Sequence, residues 1–300
     1  MNVISKDLGS GIKSITLNDP KTYNSLSFKT LNELSKLLKK FDTDNKTRVI
    51  IINGNGKGFS AGHNLKEVKS LKVRSKYLKL LTEFDSDNKT RVIIINGNGK
   101  GFSAGHNLKE VKSLKVRSKY LKLFNLCSKV MIQIVEGRKP VIAKVHGAAF
   151  AAGCQLAASC DLAYSTNDAI FATPGVNIGL FCSTPMVAVS RKINRKQMMK
   201  MLLTGEPIKA SFAKQIGLIN DHFSKQELNK EVLNIAKKIS SKSNLTIKIG
   251  KRAFYKQLEM PLNKAYKYTS EMMTLNMMAM DAKEGISAFL EKRSPRWRHK

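Results

Sequence analysis

Residues 141–161 read VIAKVHGAAFAAGCQLAASCD. Val141 to Val145 are short, apolar and β-branched enough for a buried strand, Gly147 to Gly153 form a turn of glycines and alanines, and a run at helical spacing follows. Small residues at such a turn let bare backbone N–H groups at a helix N-terminus come close to a ligand and point at negative charge. The arrangement suits stabilisation of an oxyanion. It suits plain close packing of helix on strand equally well, and this stretch alone leaves both readings open.

A second stretch bears on the choice. Gly101 to Leu108 reads GFSAGHNL after the strand-like Arg91 to Asn96. The pair FSAGHNL and PVIAKVHGAAFAAGCQLAASCD resembles the crotonase (enoyl-CoA hydratase/isomerase) superfamily. FATPGVNIGL (171–180), LLTGEPI (202–208), GLIND (217–221) and ISAFLEKRSPRW (286–297) follow in the family's order, so the resemblance covers nearly the whole chain. It implies an α/β crotonase fold, a spiral of ββα units in residues 1–221, followed by a helical trimerisation region in 222–300.

The resemblance also implies a site. The backbone N–H groups of Ala104, or of its duplicate Ala61, and of Ala152 would be the two oxyanion donors, stabilising an enolate on a coenzyme A thioester. Ser103, His106, Asn107, Leu108 and Gly153 would line the substrate, and Phe289 and Lys292 would reach the coenzyme A of a neighbouring subunit in a homotrimer or hexamer. Coenzyme A enters as part of the substrate, and no separate cofactor is implied. PKTYNSLS (20–27) resembles the family's entry to the first helix near the coenzyme A phosphates.

Hydratases of the family carry two glutamates where this chain has Gln155 and Gly175. A glutamine hydrogen-bonds a water but accepts no proton from it, and a glycine offers no side chain, so the general acid/base pair is missing. Asn177, Cys182, Ser183 and Thr184 are further polar residues on the same segment. The leading function is an acyl-CoA thioester-binding protein of fatty-acid metabolism, hydratase/isomerase-like with doubtful hydration. A non-catalytic acyl-CoA-binding or regulatory protein and an RNA-binding homologue are the alternatives. The family implies the mitochondrial matrix; no transit-type segment is visible at the N-terminus, and the other expectation is the cytoplasm.

Composition narrows the classes. Fifty-three Lys and Arg against 22 Asp and Glu give a net charge of +31. Lysines are spread over the whole chain with no basic tail, which points to general surface bias more than to nucleic acid. Lys144 and His146 interrupt the best apolar run, so no membrane span is expected. Cys127, Cys154, Cys160 and Cys182 have no CxxC spacing, so neither a disulfide framework nor a metal site is read.

The chain also repeats itself. Residues 38–80 and 81–123 are one 43-residue block written twice, differing only at Lys39/Thr82, Lys40/Glu83 and Thr43/Ser86. Removing one copy leaves 257 residues, the size of one α/β domain. A single strand slot is expected, filled by the second block, with the other copy bulging out as an insertion.

Motifs inside the block weigh less. GFSAG (58–62 and 101–105) matches a nucleophile elbow only in letters, because an elbow serine follows its strand directly and NGNGK intervenes here. NGNGKG lacks the Ser or Thr of a phosphate-binding loop. His63 and His106 are copies of one residue, read as a polar wall more than as a base. Helical spacing marks 28–38, 121–134 and 195–203; Ser224/Glu227 and Asp281/Glu284 look like capping boxes, and Pro261 like a first helical residue. The Met-rich 272–280 run reads as helix core or subunit interface.

Overall fold

The computed structural model describes residues 2–20, 33, 36, 37, 40, 41, 44, 46–55, 90–97, 99–106, 108, 111 and 114–299. Strands β1 (Val3–Asp7) and β2 (Ile12–Leu17) form an antiparallel hairpin. Strands β3 (Val49–Gly54), β4 (Val92–Asn96), β5 (Val141–Val145), β7 (Leu162–Thr166) and β10 (Asp221–Phe223) extend it in parallel, in the order β1-β2-β3-β4-β5-β7-β10. A second sheet holds β6 (Ala148–Phe150), β8 (Ile170–Ala172) and β9 (Ile208–Lys209).

Strand alternation divides the core. Ile50, Ile93, Val141, Ala143 and Val145 face one cluster, shared with Cys154, Ala157 and Phe171; Val49, Ile51, Val92, Ile94 and Ile142 face another, shared with Leu228 and Val232. Both faces of the parallel strands are therefore covered, which explains why they read as nearly unbroken Val/Ile runs. One cover is α1 (Arg117–Glu136) with α2 (Ala152–Ser159); the other is α6 (Leu228–Ser240). Between them lie α3 (Ser183–Val189), α4 (Arg195–Thr204) and α5 (Ala210–Gln215). Helices α7 (Asn244–Leu258), α8 (Leu262–Met278) and α9 (Met280–Leu290) close the chain. Lys251 ties α7 to the core: its Nζ donates to the carbonyls of Ile134 and Lys139 and pairs with Asp161 Oδ2 at 2.8 Å.

Several sequence expectations need correction. There are two strand slots for the duplicated block: β3 and β4 are the same residues from the two copies, paired in parallel as Val49↔Val92 through Ile52↔Ile95. A strand that has identical apolar residues to pair with needs no new chemistry to join a sheet, so the first copy's strand is not looped out. The division at 221/222 falls inside β10, and α6 covers the sheet, so the helical region proper begins at α7. Asp281 does not cap α9; its buried carboxylate accepts from Ser243 Oγ and from the Arg298 and His299 N–H groups. Pro261 is the N-cap of α8, one position before the first helical residue it is expected to be, and β1 is a strand that no motif in the sequence marks. The Ser224/Glu227 box is present, each side chain bonding the other's N–H at 3.2 to 3.3 Å. The helix read over 28–38 lies mostly outside the described residues.

Candidate active site

The turn between β6 and α2 is built against the loop after β4. Ser103 forms an isolated parallel bridge to Ala149: its N–H donates to the Ala148 carbonyl at 3.0 Å, and its carbonyl accepts from Phe150 N–H at 2.8 Å. Glycine at 153 is required by this contact, since a Cβ there would collide with the Ser103 carbonyl oxygen and lie 2.8 Å from the Ser103 Cβ. Next along the loop, the side of Gly105 faces Ala152 N, 3.2 Å from where a Cβ would sit. The second copy's SAG segment and the start of α2 are thus neighbours.

Between them stand two idle donors. The Ala104 and Ala152 N–H groups donate to no acceptor among the described residues. Ala152 opens α2, where no side chain caps the helix and no acidic residue enters the first turn. Ala151 precedes it at φ 49°, ψ −116°, a conformation strained for a residue with a Cβ and held by its N–H bond to the Ala172 carbonyl at 2.9 Å. Such strain costs on the order of 1–3 kcal/mol. It aims the Ala152 N–H, and no periodicity or motif in the sequence announced it.

The side chains around the donors are poor in acid/base chemistry. Gln155, 3 % exposed, turns toward α1, where its Oε1 accepts from the Cys127 thiol at 3.7 Å. Burial pushes that thiol up to about 11, so it remains a donor at neutral pH. His106 stacks on Phe124 with ring centroids 5.7 Å apart; its buried Nε2 has no hydrogen-bond partner among the described residues, and burial lowers its pKa, which favours the neutral ring. Phe124 and Cys127 both lie on the helical face read from the sequence, although nothing there showed what they touch.

Gly175 sits in the short 3₁₀ turn Pro174–Ile178, beside α2 by way of Cys182 and Cys154. A Cβ on Gly175 would lie 2.8 Å from the Leu180 carbonyl oxygen, 3.0 Å from Cys182 Sγ and 3.2 Å from Cys182 N. A carboxylate cannot be placed at this position unless the 180–182 segment moves. Of the other polar residues of the segment, the Asn177 amide lies against Gly205, and Ser183 Oγ donates to the Phe181 carbonyl.

The remaining sequence candidates divide. Leu108 is helical, just after this loop, and exposed; Ala61, His63 and Asn107 fall outside the described residues. Phe289 and Lys292 are exposed at the end of α9, which packs chiefly on α7 and α8, so one chain does not bring them to the oxyanion loops. Among the described residues no cluster of His, Cys, Asp and Glu is arranged for a metal ion, and no helix is long and apolar enough to cross a membrane.

The fold and the paired loops define a crotonase-type α/β protein. The family model described as enoyl-CoA hydratase/isomerase matches residues 7–80 and again 70–300, and the chain belongs to that family. The two matched spans meet inside the duplicated block. Human "Enoyl-CoA hydratase domain-containing protein 3, mitochondrial" is 47 % identical over 289 residues, covering 96 % of this chain and 81 % of the relative. The crystal structure of human enoyl coenzyme A hydratase domain-containing protein 3 superposes with a TM-score of 0.73 at 39 % identity, covering 99 % of this chain and 100 % of the other. An enoyl-CoA hydratase from Mycobacterium smegmatis gives the same TM-score at 37 % identity, with 99 % of each chain covered.

Proposed function

We propose that this protein binds acyl-CoA thioesters and polarises the thioester carbonyl, but hydrates enoyl-CoA poorly or not at all. The observation that supports the reading is the pair of N–H groups at Ala104 and Ala152 that have no acceptor among the described residues, on loops locked together by the Ser103–Ala149 bridge. Two donors converging on one oxygen stabilise the charge of an enolate. Adding water needs in addition a base to take its proton and an acid to deliver one to the α-carbon. Gln155 does neither, Gly175 has no side chain, and the neutral His106 stacks on Phe124. The relatives named for the mitochondrion support the same compartment here.

The test is thioester binding by calorimetry beside hydration of crotonyl-CoA, followed by loss of the enoyl absorbance. Binding in the micromolar range is expected, with hydration lower than in an active hydratase by about 10²–10⁴-fold for each missing acid/base role. Gln155→Glu should raise the rate only in part, because position 175 is sterically closed. Ala104→Pro removes one donor and should weaken the thioester without affecting free coenzyme A to the same degree. Brisk hydration by the wild type would overturn the reading.

The alternative of a purely non-catalytic acyl-CoA-binding protein is favoured by the same missing carboxylates. Turnover of any acyl-CoA would remove it.

A further inference from the structure

A cavity of about 1200 Å³ opens away from the oxyanion loops, between the C-terminal ends of α1 and α2, the segment after α3, and the facing sides of α7 and α8. Ala158 and Ser159, the last residues of α2, line it. The Ala152 N–H stands at the other end of that helix, about 10 Å away at 1.5 Å per residue.

The wall has two characters. Leu245, Ile249, Leu258, Met272, Leu275 and Met278 form an apolar trough, in which the methionines can adapt to an irregular chain. Arg191, Lys192, Lys248, Arg252 and Lys256 bring five cations against two carboxylates, Glu136 and Glu259. Arg191 engages Glu259 at 3.5 Å, and Lys256 is held 4.6 Å over the Tyr268 ring.

Lys192 is different. Half-buried, with its ammonium 5.3 Å from the Tyr255 ring centroid, it makes no hydrogen bond or ion pair with any described residue, and neither does Arg252. The nearby Asp161 carboxylate is already engaged by Lys251 at 2.8 Å. A cation at the edge of an apolar cavity with no carboxylate of its own is costly, and an anionic head group that takes its hydrogen bonds relieves that cost. The two glutamates on the same wall repel a doubly charged head more than a singly charged one. We propose that the cavity binds a long-chain fatty acid, with the carboxylate on Lys192 and Arg252 and the hydrocarbon along Met272, Leu275 and Met278. The inference does not use the thioester site and stands or falls apart from it.

Fluorescence titration of the full chain with 11-(dansylamino)undecanoate tests it. Saturable binding at one site per chain is expected, displaced by oleate and not by coenzyme A or crotonyl-CoA. The neutral amphiphile decanol should compete at least about tenfold less well than decanoate, as expected for loss of a charge-assisted hydrogen bond. Lys192→Glu should weaken the probe by about tenfold or more, with thioester binding unchanged. Should Lys192→Glu misfold, the exposed Arg252→Glu and Leu275→Glu, checked by circular dichroism, carry the same expectation. Non-saturable binding, equal affinity in the variants, or displacement of the probe by crotonyl-CoA would overturn the proposal. A probe that stays unbound at saturating concentration would overturn it as well, whatever oligomeric state light scattering reads.

Discussion

Lys144 carries a price for its place on β5. Its Nζ donates to Asn229 Oδ1 at 2.8 Å, yet burial lowers its pKa from 10.5 to about 8. Between pH 8 and 10.5 the unfolded chain therefore binds the proton more than the folded one does. This residue's contribution makes stability rise with pH through that window, with the full penalty present below pH 8. Buried thiols act in the opposite sense: Cys127 and Cys154 are raised to about 11 and about 12, so the unfolded chain loses those protons first, from about pH 9. Replacing Lys144 by Met isolates the lysine. Denaturant midpoints should show Lys144→Met more stable than wild type at pH 7, with the gap closing toward pH 10.5; a gap independent of pH would refute this. The candidate site teaches the same lesson about side chains. That Gln155 and Gly175 stand where the family resemblance implies glutamates was legible in the sequence. That Gln155 turns to Cys127, and that a Cβ at 175 meets the Leu180 carbonyl, depends on α1 and on the path of residues 180–182, which no local pattern encodes.

At the scale of elements, β4, β5 and α2 were legible because each has a strong local signal: a Val/Ile run, a Gly/Ala turn, an Ala-rich helix. The placement of β3 was not, because two copies of one sequence carry no information on whether both are used. Tertiary pairing decided it. Besides the ladder of backbone bonds, the copies share a buried polar chain, in which Asn96 Nδ2 donates to Asn53 Oδ1 at 2.8 Å and Asn53 Nδ2 to Ser14 Oγ at 2.7 Å. Since Val92 to Asn96 repeats Val49 to Asn53 residue for residue, β2 can pair with either strand in the same register, and Asn96 can reach Ser14 as Asn53 does. Deleting residues 38–80 should thus leave a 257-residue chain that folds cooperatively and binds acyl-CoA through Ala104 and Ala152. A melting temperature equal to or above that of the full chain is expected, read by circular dichroism. A chain that fails to fold would show that the widened sheet is itself required.

For the whole molecule, the decisive feature is what α8 and α9 leave uncovered. Leu262, Tyr266, Met273, Phe289 and Leu290 are exposed, the last two at 83 % and 74 %. A soluble monomer rarely leaves an apolar surface of this extent in water, and the sequence placed the Met-rich run at a core or an interface on chemical grounds alone. Burying these side chains against copies of the same chain is the simplest way to cover them, and a trimer or a dimer of trimers is the expected state. The charge of +31 on each chain opposes that association. The opposition acts through solvent and is screened within about 8 Å at physiological ionic strength, while apolar burial is not weakened by salt. Assembly should therefore grow stronger from low to moderate salt, the reverse of an interface held by ion pairs. Multi-angle light scattering across 20 to 300 mM NaCl, about a twofold change in screening length at each fourfold step, reads this directly. Phe289→Glu with Leu290→Glu should shift the protein to monomers at every salt concentration. A wild type that is monomeric throughout at micromolar concentration would mean that α8 and α9 are covered by something other than a copy of this chain.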